Sequence, residues 1–385
     1  MHPETDVLHR GEGAAKAARP LNTPIYATST FTFENVAALE AYHRGDGGYL
    51  YSRHANPTIE AAEAKLAVLE GAEAAMLTSS GMAATATALA GLLAAGDELV
   101  CSSALYGGTL QLVTTFLRRF GVDVRILPPD RFAAAGQLVG PKTRVVWFET
   151  PANPTLRCVD IREVAEACRA GGALSVLDNT FATPVNQQPL ALGIDLVMHS
   201  ATKYLNGHGD VTAGVLAASR ALLARLQPAR RFFGGVLDPA AAYQVARGLK
   251  TLALRVARHN QNAGELARWL EADTRVSRVF YPGLPSHPDH ETARRQMRGF
   301  GGMICFEVPG GLDAAGRLFD RLGLIQRAAS LGGTESLCSL PVLTSHHGVS
   351  EAGLAEAGVT AGMIRLSVGL EHPDDLVADL DQALG

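Results

Sequence analysis

From residue 74 onward, short apolar runs alternate with longer stretches whose apolar positions recur every three or four residues. Residues 74–78, 98–102, 122–127, 144–149, 174–178 and 196–200 read as strands. They lack the period-two alternation of a strand with one wet face, which predicts burial on both sides. Residues 81–95, 110–120 and 161–170 read as helices between them. Strands separated by helices predict an α/β fold, a mostly parallel central sheet covered by helices. One more helix starts at Asn56-Pro57-Thr58, a capping-type Asn followed by Pro in the first turn, and stops at Gly71.

The pattern changes at both ends. Residues 1–55 carry turn signals and aromatics (Tyr26, Phe31, Phe33, Tyr42, Tyr49, Tyr51) with little periodicity, as expected of an arm that packs on something else. After about residue 250 a long amphipathic stretch, 252–271, leads to apolar runs at 276–281, 303–308 and 364–368. The expected division is an arm over 1–55, a large domain over 56–250 and a smaller C-terminal α+β domain over 251–385.

Composition narrows the function classes. With 385 residues, 47% hydrophobic and 19% charged, the chain can bury a large core. A formal net charge of -4 and no dense basic run argue against a nucleic-acid partner. The longest small-apolar run, 83–95, is too short for a membrane span, and the polar, acidic start is unlike a secretory signal, so a cytoplasmic protein is expected. Cys101, Cys158, Cys168, Cys305 and Cys338 are scattered, with no C-x-x-C, and read as buried free thiols. His287, His290, His346 and His347 read as loop residues, so no metal site is expected.

Of the 34 cationic residues only five are lysines: Lys16, Lys65, Lys142, Lys203 and Lys250. Lys16, Lys65 and Lys142 sit in polar or helical contexts and are expected in solvent. Lys250 reads as structural or phosphate support. Lys203 differs. It follows an apolar strand in His199-Ser200-Ala201-Thr202-Lys203-Tyr204 and precedes a glycine-rich turn. A lysine at a strand end near the core is desolvated, which lowers its pKa and frees its amine as a nucleophile. Upstream, Asp178 closes another apolar strand, facing the crevice where open α/β sheets bind ligands. A Schiff-base lysine with an Asp for a pyridinium nitrogen is the set that pyridoxal phosphate (PLP) needs. Thr78-Ser79-Ser80-Gly81-Met82 runs from strand to helix, where backbone amides bind phosphate. No Walker motif occurs.

Phosphate turn, carboxylate and lysine, in this order, resemble the Cys/Met-metabolism (trans-sulfuration) group of PLP enzymes, fold type I. That group contains cystathionine γ-synthase, cystathionine γ-lyase, methionine γ-lyase and the homoserine sulfhydrylases. The resemblance also rests on Tyr51-Ser52-Arg53, Tyr106-Gly107-Gly108-Thr109, Glu149-Thr150-Pro151-Ala152-Asn153-Pro154, Arg247-Gly248-Leu249-Lys250, Ser330-Leu331-Gly332 and Arg365-Leu366-Ser367-Val368-Gly369. It implies that Lys203 anchors PLP covalently, that Asp178 binds the ring nitrogen and that Tyr106 stacks on the ring and helps move protons. Gly81, Met82, Ser200 and Thr202 would hold the phosphate. Tyr51 and Arg53 would reach the phosphate of a neighbouring subunit, in a homotetramer built as a dimer of dimers. Asn153, Ser330 and Arg365 would bind the substrate carboxylate.

Within the group, Gly108 stands where methionine γ-lyases usually carry cysteine, and Ala329 where cystathionine-handling members often carry glutamate. The segments around Glu149 and Arg365 look closest to the γ-lyase branch. The expected reaction is α,γ-elimination from a sulfur amino acid, releasing a 2-oxo acid and ammonia. The alternative is γ-replacement on an O-acylhomoserine. A non-catalytic binding protein of this fold would lack the cofactor contacts, and Lys203, Asp178, Tyr106 and Arg365 are all in the chain.

Overall fold

The structure, a computed structural model, describes residues 1–10, 20–132 and 138–385. Seven strands form the larger sheet: β1 (Ala74–Thr78), β2 (Glu98–Ser102), β3 (Asp123–Leu127), β4 (Thr143–Glu149), β5 (Leu174–Asp178), β6 (Leu196–Ser200) and β7 (Gly214–Ala218). Their order is β1-β7-β6-β5-β4-β2-β3. The β3, β2, β4, β5 and β6 neighbours pair parallel, and β7 runs antiparallel to both β6 and β1. The sheet is therefore mostly parallel, as the alternation of strands and helices predicts.

Both faces are covered, and the strands show why they lack alternation. Val145 and Trp147 of β4 pack with the helices Gly81–Leu92 and Arg220–Phe233 on one side. Val146 and Phe148 of the same strand pack with the helix Ile161–Gly171 on the other. Each fully buried side chain of this size contributes roughly 1.5–3 kcal/mol. The strand β7 is Gly-Val-Leu-Ala-Ala, too poor in β-branched and aromatic residues to signal a strand, yet it lies wholly buried between two others. The stretch 110–120, expected as one helix, is an α turn, then a π turn (Leu112–Phe116), then a 3₁₀ turn (Leu117–Phe120). Thr114 Oγ1 donates to Leu110 O at 2.7 Å there, competing with the regular ladder.

Five strands form the second sheet: β8 (Arg278–Phe280), β9 (Met303–Glu307), β10 (Gln326–Arg327), β11 (Leu337–Ser339) and β12 (Met363–Ser367), ordered β10-β11-β12-β9-β8. One face is packed by the helices Gly311–Arg321 and Pro373–Leu384. The helix Leu252–Ala272 joins the two layers. Its first turns bury Leu252 and Val256 in the core around β7, and its later turns bury Leu266 and Leu270 against β9 and β12. No helix among the described residues is long and apolar enough to cross a membrane.

Residues Pro3–His9 form a helix whose Val7 is buried in the chain's own core, packed with residues of the helix Pro57–Glu70. Lys65, expected in solvent, is fully buried and donates to Val7 O (2.9 Å) and Arg10 O (2.7 Å). Carbonyls at a helix C-terminus carry the negative end of the helix dipole, which offsets the cost of burying the ammonium. Lys142 is exposed as expected, and Lys16 lies outside the described residues.

Candidate active site

A cavity of about 580 Å³ opens where the carboxyl ends of β4, β5 and β6 meet the second sheet. Its lining includes Gly81, Met82, Tyr106, Asn153, Asp178, Ser200, Thr202, Lys203, Ser330 and Arg365. Residues scattered over most of the chain thus converge because parallel strands end on one edge of the sheet.

The turn after β1 leaves backbone donors that could hold an anion. Ser80 caps the helix Gly81–Leu92 by accepting from Ala83 N at 3.0 Å. The N–H groups of Gly81 and Met82, in the first helical turn, have no partner within the helix. A Cβ at Gly81 would lie 2.9 Å from Ser200 Cβ, and one at Gly214 would lie 2.1 Å from Ser80 O. Glycine at both positions lets the turn and the end of β6 close around one point. The Ser200 side chain faces that point. Thr202 Oγ1 also faces the cavity and is steadied by the Ala213 backbone, which it both donates to (3.2 Å) and accepts from (3.0 Å).

Asp178 ends β5. Its Oδ1 accepts from Thr180 N (2.9 Å) and Thr180 Oγ1 (2.5 Å), leaving Oδ2 free of both bonds. Burial raises its pKa, and the two Thr180 bonds work against that shift by favouring the anion. Lys203 lies in the turn after β6, and its Nζ donates to Ser330 Oγ at 2.7 Å. Burial, followed by the nearby Arg365 charge, lowers its pKa from 10.5 to about 8. Ser330 holds a left-handed backbone (φ 136°), and the neighbouring loop approaches so closely that a Cβ at Gly332 would lie 2.6 Å from Tyr204 N.

Arg365 follows from the period-two pattern of β12. Ile364 and Leu366 point into the second core, so Arg365 points the other way, toward the cavity. It is 7% exposed, donates from Nη1 to Asn153 Oδ1 at 2.8 Å, and forms no ion pair among the described residues. Burial lowers its pKa, yet guanidinium remains charged at neutral pH. A planar cation held in place in this way could receive a carboxylate through both of its nitrogens.

Tyr106 is half-exposed at the cavity wall. A Cβ at Gly108 would lie 2.6 Å from its Cε1 and 3.1 Å from Met82 Sδ, so glycine there gives the ring its room. Glu149, read in the sequence only as part of a motif, proves to line the cavity too, buried beside Asp178. Tyr51 and Arg53 do not line it. They lie on the surface, Arg53 stacked 5.5 Å over the Tyr51 ring and donating to Arg231 O at 3.4 Å. Lys250 also lies apart, its Nζ hydrogen-bonded to Asn22 Oδ1. All five cysteines are buried and unpaired.

The residues present fit a phosphorylated pyridine aldehyde: an amide-lined phosphate turn, a buried carboxyl for a ring nitrogen and an amine partly neutral near physiological pH. This makes a prediction for the cofactor-free chain. With a pKa of about 8, about a quarter of Lys203 is neutral at pH 7.5, against about one in a thousand at 10.5. Lys203 is expected to react with small aldehydes along a titration curve centred near 8. Peptide mapping after reductive trapping checks this; a midpoint above 10 refutes the desolvated amine.

Comparison with known proteins agrees with the fit. A family model described as "Cys/Met metabolism PLP-dependent enzyme" matches residues 4–385. L-methionine gamma-lyase of Pseudomonas putida is 44% identical over 383 residues, covering 99% of this chain and 96% of the relative. Cystathionine gamma-synthase of Mycobacterium bovis is also 44% identical, over 387 residues, covering 100% and 97%. The crystal structure of cystathionine gamma-lyase from Lactobacillus plantarum complexed with L-serine superposes with a TM-score of 0.93 at 37% identity, covering 100% of this chain and 98% of the other.

Proposed function

Because this chain belongs to the Cys/Met-metabolism family of PLP-dependent enzymes, we propose that it is a carbon–sulfur lyase. Its reaction is α,γ-elimination from a sulfur amino acid, giving a 2-oxo acid, ammonia and the thiol. Relatives of equal identity carry lyase and synthase names, so overall similarity does not choose between elimination and replacement. The lining of the cavity supports a substrate with a neutral side chain, and elimination is the reading taken from the lyase-like segments around Glu149 and Arg365. Apart from Glu149, Asp178, Lys203 and Arg365, the walls carry no charge, being Met82, Phe181, Ala329, Leu331, Thr344, Ser345 and other neutral residues. A methylthioether fits such a wall. A second ammonium group, as in cystathionine, meets no carboxylate beside Ala329.

Bound PLP supplies an electron-withdrawing ring that stabilises negative charge on the carbon beside the substrate carboxylate. The chain supplies position and proton transfer. Gly81, Met82, Ser200 and Thr202 would hold the phosphate, and Asp178 would hold the ring nitrogen. Lys203 would anchor the cofactor, and its Nζ would be the base that takes the α proton and carries protons toward Cβ. Tyr106 covers the ring face and its phenol assists departure of the γ-substituent. Arg365, with Asn153 and Ser330, grips the carboxylate and orients the α C–H bond. Tyr51 and Arg53, exposed and away from their own cavity, complete the site of a second subunit in a homo-oligomer.

The test is incubation of the purified protein with methionine, cystathionine or O-acetylhomoserine, each with and without an added thiol. Release of 2-oxobutanoate from methionine without thiol is the expected result. Thioether product formed only from O-acetylhomoserine plus thiol makes the enzyme a γ-replacement catalyst instead.

A further inference from the structure

Glu149 has no part in the assignments above, although it sits at the centre of the site. It is the last residue of β4 and pairs in register with Asp178, the last residue of β5. Paired residues of parallel strands project from the same face, and both side chains line the cavity. Glu149 is 6% exposed, and its Oε1 accepts the backbone N–H of Tyr106 at 2.5 Å. Neither carboxyl forms an ion pair among the described residues. The other charged or titratable groups here are Lys203, Arg365 and Tyr106 in the cavity, and His199 of β6, whose imidazole is held by buried Glu70.

Two adjacent buried carboxyls without a cation between them do not both ionise. The geometry says which keeps the proton. Asp178 receives two hydrogen bonds from Thr180, both of which favour its anion. Glu149 receives one, and burial together with the Asp178 charge pushes its pKa well up.

Resting on the PLP reading, we infer that Glu149 is a positioning residue that acts as a neutral carboxylic acid. Its Oε1 fixes the Tyr106 backbone, and with it the ring at the mouth of the cofactor seat. Its protonated Oε2 leaves Asp178 as the single anion for the pyridine nitrogen.

Three variants separate this role from simple filling of space. Glu149→Gln keeps an acceptor toward Tyr106 N and a neutral donor beside it. Glu149→Asp withdraws the carboxyl by one methylene, and Glu149→Leu removes both functions. PLP affinity is measured by reconstituting the cofactor-free protein and following quenching of tryptophan fluorescence. Visible circular dichroism of the bound cofactor reports the placement of the Tyr106 ring, and thermal melting reports folding. The Gln variant is expected within about threefold of wild type in PLP affinity, with the same dichroism. The Asp and Leu variants are expected to lose about tenfold, near the value of one hydrogen bond, with altered dichroism in folded protein. A tenfold loss in the Gln variant shows that the anion is required and overturns the inference. So does a Leu variant that matches wild type. A wild-type chain that takes up no PLP sinks the cofactor reading itself, a separate outcome.

Discussion

Lys203→Ala is expected to lower kcat by about 10⁴-fold or more while the chain stays folded. Every proton transfer assigned to the protein near the α carbon passes through this amine, so no second group substitutes for it. The fold does not depend on it. Among the described residues its Nζ makes one hydrogen bond, to Ser330 Oγ, and the turn around it is held by backbone bonds from Asn206 N to Ala201 O and from Gly207 N to Lys203 O. Removing a largely desolvated amine also relieves a burial cost, so the melting temperature is expected to shift by no more than a few degrees. The visible band of covalently held PLP is expected to vanish after dialysis. Retained band and turnover, without added amine, disprove the assignment.

Arg365→Met is expected to reduce kcat/KM by about 10²- to 10³-fold, the usual cost of removing one partner of a buried, hydrogen-bonded charge pair. The larger share falls on KM, because the guanidinium meets the carboxylate before and throughout reaction. The same change is expected to move the stability of the cofactor-free protein by less than about 2 kcal/mol. Two effects oppose each other. Asn153 Oδ1 loses its donor from Nη1, which costs about 1–2 kcal/mol. Against this, an unpaired buried cation is removed, and replacing buried charge by apolar volume is often stabilising. Activity lost without stability lost marks a binding group. Equal loss of both makes Arg365 a structural residue, which contradicts the reading.

The pattern of apolar runs located β1, β2, β5 and β6 to the residue, because strands buried on both faces leave unbroken apolar signatures. It passed over β7, whose glycine and alanines answer to packing rather than propensity. Lys203 and Asp178 were legible from local context, each at the end of an apolar strand. Arg365, Asn153 and Ser330 were legible only through family resemblance, since nothing near them in the chain hints at a carboxylate. Glu149 escaped as a site residue for another reason. Its importance lies in register with Asp178, a relation between strands that no local window contains. Lys65 was misread because its partners, Val7 O and Arg10 O, come from a helix that the sequence pattern did not announce.

The antiparallel pairing of β1 with β7 also has a bearing on how the chain acquires its site. Thr78 is matched with Gly214, and Ser80 can lie where it does only because that glycine is there. The phosphate turn is therefore unfinished until strands far apart in the chain have met. Such contacts form slowly, because a long loop must close before they return any stabilisation. During synthesis, the turn is expected to close only once β7 has followed β6 out of the ribosome. A chain truncated before residue 214 is therefore expected to leave this turn open and to hold PLP weakly.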